Sequence, residues 1–300
     1  MNIKPPRLQT GDEIAIIAPA GPVTPVEIRP AIDFLVREGY RVRQATHLFA
    51  KEGYLAGNDA ARLEDFHSVF DNAHIKAVLC ARGGYGTLRF LDKIDYGRIK
   101  RNPKIILGYS DITALLMAVH KMTGLVTFHG PVARDLSGTG DKCFKDFFKL
   151  VSSREKWSFD LSEGTALHEG KAKGFLLGGN LSLLSHLIGT PFMPDMKGGI
   201  LFIEERGESI YRIDRMLTHL RLGGILKDLS GLIMGDFVDC GDIEDINGLL
   251  TDIMAGFDIP LFSGLPVGHG DKNLTIPVGL QAELDTGSMK LTLLESCVVT

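Results

Sequence analysis

The chain of 300 residues has few cysteines, a single tryptophan and no long hydrophobic run. Its four cysteines, at positions 80, 143, 240 and 297, lie far apart and form neither a C-x-x-C pair nor a zinc-like spacing. They are interpreted as reduced thiols, which favours a reducing compartment over secretion. No run of about 18 apolar residues is present, as a membrane-spanning helix requires, and residues 1–13 lack the apolar core of a signal peptide. These absences predict a soluble, cytoplasmic protein.

Strong charge of either sign is also absent. The net charge is −4, which argues against nucleic acid or an anionic membrane as the main partner. The nine histidines form no H-E-x-x-H motif and no cluster with cysteine, so catalytic zinc is not expected. We expect no metal and no organic cofactor. By contrast, the 35 glycines predict many tight turns and close approaches of backbone to a ligand.

The first half of the sequence alternates short apolar runs with amphipathic segments. The runs at 14–18, 77–81 and 105–107 are continuous, which is typical of strands buried on both faces. Apolar residues at helical spacing lie between them, as around residues 28–35 and 63–70. Strands separated by helices predict a parallel sheet with right-handed crossovers.

The pattern changes after about residue 135. Residues 136–172 are polar and weakly periodic, and they are interpreted as a linker. Alternating apolar residues in Gln281–Leu294 predict an antiparallel hairpin. The prediction is therefore an α/β fold with an N-terminal α/β domain at 1–135, this linker, and a smaller mixed C-terminal α/β domain at 173–300. Strand-like runs in the second domain lie at 174–177, 200–203, 231–234 and 260–262.

One strand-to-helix turn stands out as a candidate for chemistry. Gly-Tyr-Ser-Asp at 108–111 follows a buried strand and precedes a helix from Ile112 to about His120. A serine on such a turn is lifted out of the sheet, and the following backbone N–H groups face a developing oxyanion. The G-x-S-x-G pattern is incomplete, because Ile112 stands where the second glycine would be. The alternative is that Ser110 only caps the helix.

A second glycine-rich turn, R-G-G-Y-G at 82–86, also follows a buried strand. Its backbone N–H groups could hold a phosphate, a carboxylate or an oxyanion. It matches neither G-x-G-x-x-G nor the P-loop pattern, which gives little support to nucleotide binding. The alternative is a simple tight turn.

A base and an acid are also available at strand ends. His269 lies between two glycines after a strand, which leaves its ring unhindered, and His129, at the end of another strand, is the second candidate base. Glu204 and Glu205 end the short run 201–203. Two adjacent acids at a strand end are usually solvated, and this alternative stays open on the pattern alone.

Several short motifs occur in a fixed order along nearly the whole chain. They are Gly-Asp and Ala-Pro-Ala-Gly within 11–21, R-G-G-Y-G at 82–86, G-Y-S-D at 108–111, Gly-Gly-Asn at 178–180, F-I-E-E at 202–205 with D-R at 214–215, and P-V-G-H-G at 266–270. In their order and spacing they resemble the LD-carboxypeptidases, the serine peptidases that process cytoplasmic murein peptides.

The resemblance implies a Ser–Glu–His triad, which maps to Ser110, Glu204 and His269. It also implies an oxyanion hole built from backbone N–H groups, which matches Asp111 and the Gly83–Gly84 turn. Successive residues of a strand point to opposite faces, so only one of the two acids can point into the cleft. Because the family's acid comes first in the pair, Glu205 is expected to point away, toward solvent or toward a cation. The candidate cations are Arg206 and Arg215.

The implied activity is hydrolysis of the L,D bond that releases terminal D-Ala from murein tetrapeptide, without a cofactor and by a homodimer. Two alternatives remain open. Microcin-immunity hydrolases of the same family cleave peptidyl- or aminoacyl-nucleotides, which an aromatic stack for a base would favour, and the lone Trp157 supports this poorly. The other is a non-enzymatic protein whose two domains grip a small ligand.

Overall fold

The computed structural model describes residues 2–136 and 140–300, which form two sheets flanked by helices. The strands begin and end close to the predicted apolar runs, within two residues in the first half of the chain. They are β1 (Glu13–Ile17), β2 (Arg41–Gln44), β3 (Ile75–Cys80), β4 (Ile105–Gly108), β5 (Thr127–His129), β6 (Ser158–Asp160), β7 (Thr165–His168), β8 (Lys171–Asn180), β9 (Ile200–Arg206), β10 (Gly231–Val238), β11 (Leu261–Ser263), β12 (Ile276–Val278), β13 (Gln281–Asp285) and β14 (Lys290–Leu293).

Several of the helices begin where the sequence supplies a capping side chain. Thr24 and Glu27 form a capping box at the start of the first helix, and Asn58 caps the second. In the described ranges, none of the helices has both the length and the apolar character needed to cross a membrane. The helices are α1 (Pro25–Arg37), α2 (Asp59–Asp71), α3 (Tyr96–Arg101), α4 (Ile112–Thr123), α5 (Gly140–Ser152), α6 (Leu181–Leu187), α7 (Ile210–Leu222) and α8 (Ile243–Ile253).

The first sheet has the strand order β12-β5-β4-β3-β1-β2. Its five N-terminal strands are parallel, and every residue of β1 and of β4 is buried, as their continuous apolar sequences predict. This confirms the predicted parallel sheet. The sixth strand, β12, comes from the C-terminal part of the chain and pairs antiparallel with β5.

The second sheet is mixed, with the strand order β6-β14-β13-β8-β9-β10-β11-β7. Its four central strands, from β8 to β11, are parallel. The hairpin of β13 and β14 is antiparallel and extends β8 on one side, which confirms the predicted C-terminal hairpin. The carboxyl ends of β8 and β9 carry the Gly-Gly-Asn and F-I-E-E motifs.

The predicted linker at 136–172 has more structure than its composition indicates, although its residues 137–139 lie outside the described ranges. Helix α5 packs on α1 through ring contacts of Phe34 with Phe144 and Phe148, while β6 and β7 form the two edges of the second sheet. The segment thus adds elements to both halves of the molecule. The domain boundaries at 135 and 173 stay a prediction.

Two glycines at the end of β8 allow close approaches, Gly178 to the neighbouring strand β9 and Gly179 to the start of α4. A Cβ on Gly178 would lie 1.9 Å from the carbonyl oxygen of Phe202, and one on Gly179 would lie 2.6 Å from the side chain of Thr113. Both glycines have positive φ, +147° and +140°. The next residue, Asn180, donates its backbone N–H to Thr113 Oγ1 at 3.1 Å. The Gly-Gly-Asn motif therefore docks the second sheet on the first helical turn after Ser110.

Replacing Gly179 by alanine should destabilise the fold by about 2–4 kcal/mol, since it adds a clash to an unfavourable φ. The matched control is Gly189→Ala, at φ +80° with open space around its Cβ, which should cost only about 1–2 kcal/mol. The measurement is urea unfolding of both variants. Equal losses would show that the contact with Thr113 is not tight.

Candidate active site

Ser110 lies on a strained turn between β4 and α4. Its φ is +63°, and only two other non-glycine residues of the described chain, Asp239 and Met289, have positive φ. Such strain at a serine between a strand and a helix is typical of a nucleophile elbow. The N-cap of α4 is Asp111, one residue later. Ser110 is therefore not the capping residue, which was the alternative interpretation of this serine.

His269 is joined to Glu204 by a short hydrogen bond. Its Nδ1 lies 2.7 Å from Glu204 Oε2, and the Glu204 side chain is completely buried at the end of β9. The preceding residue, Gly268, has φ +122°, and a Cβ there would lie 2.7 Å from the same carboxylate oxygen. Only glycine allows the loop to pass this close to Glu204. This contact explains the glycine before His269 in the P-V-G-H-G motif.

Ser110 and His269 line one cavity of about 510 Å³. The ring of Tyr109 packs on the His269 ring, with centroids 4.9 Å apart. No hydrogen bond joins the Ser110 hydroxyl to His269 within the described residues. Hydrogen bonds between catalytic side chains are often long before substrate binds. The observation that links Ser110 and His269 is therefore that both line the same cavity.

The R-G-G-Y-G turn forms another wall of this cavity through Gly83 and Gly84. A Cβ on Gly83 would lie 2.9 Å from Ser110 Oγ, so the backbone passes directly beside the hydroxyl. The carbonyl of Gly83 accepts the Gly21 N–H at 3.0 Å, which fixes this peptide with the Gly84 N–H on the opposite side. Within the described residues, the N–H groups of Gly84 and Asp111 donate no hydrogen bond. Gly84 lines the cavity, so its N–H is available to an oxyanion there, whereas Asp111 is buried at the start of α4 and is not among the residues that line the cavity.

The comparisons with known proteins agree with this geometry. The model of the LD-carboxypeptidase N-terminal domain matches residues 14–130, and that of the C-terminal domain matches 173–284. A Bacillus subtilis protein named probable murein peptide carboxypeptidase is 41% identical over 95% of this chain and 92% of its own length. The chain belongs to the LD-carboxypeptidase family. It is a serine-type carboxypeptidase.

Two solved structures resemble the carboxypeptidase over nearly its whole length. The muramoyltetrapeptide carboxypeptidase from Oxalobacter formigenes superposes with a TM-score of 0.81 at 34% identity, covering 94% of this chain and 97% of that one. MccF in complex with glutamyl sulfamoyl guanosine superposes with a TM-score of 0.93 at 26% identity, covering 99% of each chain. The two-domain α/β fold is thus shared with a muramoyltetrapeptide carboxypeptidase and with MccF. The fold alone therefore does not distinguish the two activities that the sequence left open.

Burial and hydrogen bonding act in opposite directions on the carboxypeptidase's His269. Burial alone would lower its pKa, but the hydrogen bond and the charge of Glu204 outweigh burial and raise it. For Glu204, burial raises the pKa, and the contact with His269 opposes that rise. The pair therefore favours the protonated imidazole of His269. This is the effect expected of a triad carboxylate, which stabilises the imidazolium that forms during the reaction.

His129, the second candidate base, does not line the cavity. Its ring is completely buried, with neither nitrogen hydrogen-bonded, and it packs on Phe202 at 5.3 Å between centroids. Burial and the nearby His269 lower its pKa to about 3, so it stays neutral. The geometry favours His269 as the base of the carboxypeptidase.

The expectation for Glu205 is wrong. Its side chain is buried and points neither to solvent nor to the guanidinium of Arg206 or Arg215. It accepts the Asn180 Nδ2–H at 3.0 Å, the backbone N–H of Ser182 at 2.8 Å and that of Arg206 at 2.9 Å. Glu205 therefore fastens the Gly-Gly-Asn motif and the start of α6 to the end of β9.

Sequence reasoning missed several charged residues around the cavity. Asp135 lines it and shares a side-chain hydrogen bond with Tyr109, and burial raises the pKa of this acid. Asp236 accepts the Gly270 N–H at 3.2 Å, and burial raises its pKa to about 6. Single acids outside any motif gave no signal. The cavity is also lined by the arginines Arg82, Arg134 and Arg206.

Glutamine replacements should separate the roles of the adjacent acids. Glu204→Gln removes the group that raises the His269 pKa, and the same change in a serine-protease triad lowers kcat by about 10⁴-fold. Because the neutral imidazole is the active base, kcat/KM falls as pH drops through its pKa. Because the contact with Glu204 raises the His269 pKa, we expect this acidic limb to lie above the ordinary range of histidine in the wild type and to move to lower pH in the variant.

Glu205→Gln serves as the matched comparison. It turns an amide NH₂ toward at least one N–H donor, which should cost about 1–3 kcal/mol of unfolding free energy. The acidic limb should move to lower pH by much less than in Glu204→Gln, because the charge of Glu205 raises the His269 pKa less than the contact with Glu204 does. Activity and pH profiles, together with denaturant unfolding, measure both effects. A loss of turnover confined to Glu205→Gln would reverse the assignment of the acid.

Proposed function

We propose that the chain is a serine LD-carboxypeptidase that removes the terminal D-Ala from murein tetrapeptide. Ser110, Glu204 and His269 would form the triad, and the N–H groups of Asp111 and of the Gly83–Gly84 turn would form the oxyanion hole. The observation that carries the proposal is the cavity in which a strained serine, a glutamate-bonded histidine and the unbonded N–H of Gly84 meet.

In the acylation step, Ser110 Oγ attacks the carbonyl carbon of the third residue of the peptide. His269 takes the hydroxyl proton through Nε2, because its Nδ1 is engaged with Glu204. The carbonyl oxygen becomes an oxyanion that accepts hydrogen bonds from the free N–H donors. Each such donor is worth about 3–4 kcal/mol in measured cases.

The intermediate collapses when His269 gives its proton to the nitrogen of D-Ala. The peptide C–N bond breaks, D-Ala leaves as the amine, and the rest of the peptide stays as an ester on Ser110. Water then attacks this ester, with His269 again accepting the proton, and Ser110 is regenerated. Glu204 holds the imidazole in the required tautomer throughout and stabilises its cation.

The direct test is incubation with murein tetrapeptide and mass spectrometry for the loss of one alanine. The wild type should release D-Ala, and Ser110→Ala should abolish release because the nucleophile is gone. The fold should be retained, since the change removes one hydroxyl that makes no capping bond. The matched control is Ser185→Ala, whose hydroxyl contacts His219 at 3.1 Å on the exposed surface. Retained activity in folded Ser110→Ala would remove this serine from the mechanism.

The arginines of the cavity support recognition of a free carboxyl terminus. A guanidinium facing a carboxylate forms strong, oriented hydrogen bonds. Replacing the terminal carboxylate of the tetrapeptide by an amide should lower kcat/KM roughly 10- to 100-fold, as expected for about 1.5–3 kcal/mol lost with a charged partner. An L-Ala terminus should also react poorly, because its inverted centre misplaces the carbonyl from Ser110. Comparable kcat/KM for all three peptides would argue against an LD-carboxypeptidase.

The second candidate is a hydrolase of aminoacyl-nucleotides, favoured by the likeness to MccF with a bound glutamyl sulfamoyl guanosine. Trp157 gives it no support, since this side chain lines a separate cavity with Arg7 and Arg154. An aminoacyl sulfamoyl nucleoside that inhibits tightly while tetrapeptide is left intact would favour this candidate. A cytoplasmic location and a homodimer also remain part of the proposal. The location is favoured by the interpretation of the four cysteines as reduced thiols, whereas the homodimer rests on the family resemblance alone.

A further inference from the structure

A completely buried arginine lies behind the R-G-G-Y-G turn. Arg62 is on α2, its side chain has no exposed surface, and its guanidinium packs over the Phe90 ring at 5.2 Å. Burial lowers its pKa, and the ion pair with Asp59 opposes this. A buried arginine is rare unless its charge is paired and its N–H groups are bonded. The contacts of Arg62 therefore identify the segments that it holds in place.

Arg62 bonds to two loops that follow neighbouring strands. One nitrogen, Nη1, donates to the carbonyl of Pro19 at 2.7 Å and to that of Gly86 at 2.8 Å. The other, Nη2, pairs with Asp59. Pro19 belongs to the loop after β1, and Gly86 ends the R-G-G-Y-G turn after β3. A single planar group therefore ties the two loops together.

The same turn is fastened at its other points to the residues around Ser110. Gly21, in the loop after β1, donates its backbone N–H to the Gly83 carbonyl. The Asp111 carboxylate accepts the N–H of Gly86 at 3.3 Å and that of Thr87 at 2.9 Å. The turn thus lies between a buried cation and a buried carboxylate, while its Gly83 and Gly84 line the cavity and its Tyr85 is exposed.

We propose that Arg62 is a positioning residue that fixes the oxyanion-hole turn against the loop after β1. The inference rests on the proposed function, because it assumes that the Gly83–Gly84 turn binds the oxyanion. Oxyanion stabilisation depends on donors that are already in place, and a displacement of about 1 Å can cost about 100-fold in rate. Lysine cannot replace the planar fork, since its ammonium is a compact point charge on a flexible stem.

The test compares Arg62→Lys with Lys104→Met. Lys104 is also a buried cation bonded to two carbonyls, those of Asn72 and Ile75, but it precedes β4 at the opposite end of the strand from Ser110. Arg62→Lys should lower kcat for tetrapeptide by about 100-fold with KM changed less than about threefold. Lys104→Met should lose thermal stability with kcat unchanged. Equal kcat values for Arg62→Lys and the wild type would overturn the proposal, as would equal losses of kcat in the two variants.

A serine-reactive fluorophosphonate gives a readout that is independent of the peptide. Ser110 Oγ forms a bond to phosphorus, fluoride leaves and the serine proton passes to His269, so the rate depends on the same oxyanion donors. Arg62→Lys should slow this labelling about as much as it slows turnover. If the wild type is labelled but leaves tetrapeptide intact, the proposed substrate fails, and the labelling rates alone decide the role of Arg62.

Asp59→Asn provides a second variant that leaves Arg62 in the protein. Its side chain is 21% exposed, so the change is compatible with folding, and it removes the charge that orients the guanidinium. Both kcat and the labelling rate should fall several-fold at unchanged KM. If both are unchanged, the orientation of Arg62 does not influence the oxyanion hole and the proposal is overturned.

Discussion

The contact between the end of β8 and the start of α4 is the constraint on which the site depends. The proposed nucleophile lies on one sheet, and the proposed base and acid lie on the other, so their relative position is set by how the sheets dock. Gly179 against Thr113 and the hydrogen bond from Asn180 to Thr113 provide that contact three residues after Ser110. Strand β12 reinforces it, because it belongs to the C-terminal half yet pairs with β5 of the first sheet.

The two adjacent glutamates show how one strand end uses two buried carboxylates. Glu205 accepts three hydrogen bonds, which satisfy its charge and make it a structural anchor. Glu204 has His269 on one oxygen, while its other oxygen, Oε1, is buried without a hydrogen bond. A carboxylate with so little competing solvation directs its charge to the imidazole. The difference in role follows from the number of donors around each side chain.

The sequence predicted the parallel sheet and the hairpin because their apolar patterns are local. It also predicted a sharp turn at Ser110 between a strand and a helix, and the positive φ of +63° agrees with such a turn. The expectation for Glu205 failed because strand alternation identifies opposite faces but not what covers each of them. Six of the seven residues of β9 are buried, so the face opposite Glu204 is as enclosed as its own. Arg62 gave no signal either, since its partners at 19 and 86 are distant in sequence.

The proposed oxyanion donors illustrate why loop residues can act as a rigid catalytic group. Surface loops are ordinarily the mobile part of a fold, whereas this site needs N–H groups held in place before the reaction. The Asp111 carboxylate accepts the N–H groups of Gly86 and Thr87, so the start of α4 is joined directly to the turn that carries Gly84. A displacement of the turn would therefore strain the start of α4. In the proposed mechanism the two donors would act as one unit, which the buried charges around them keep in register with Ser110.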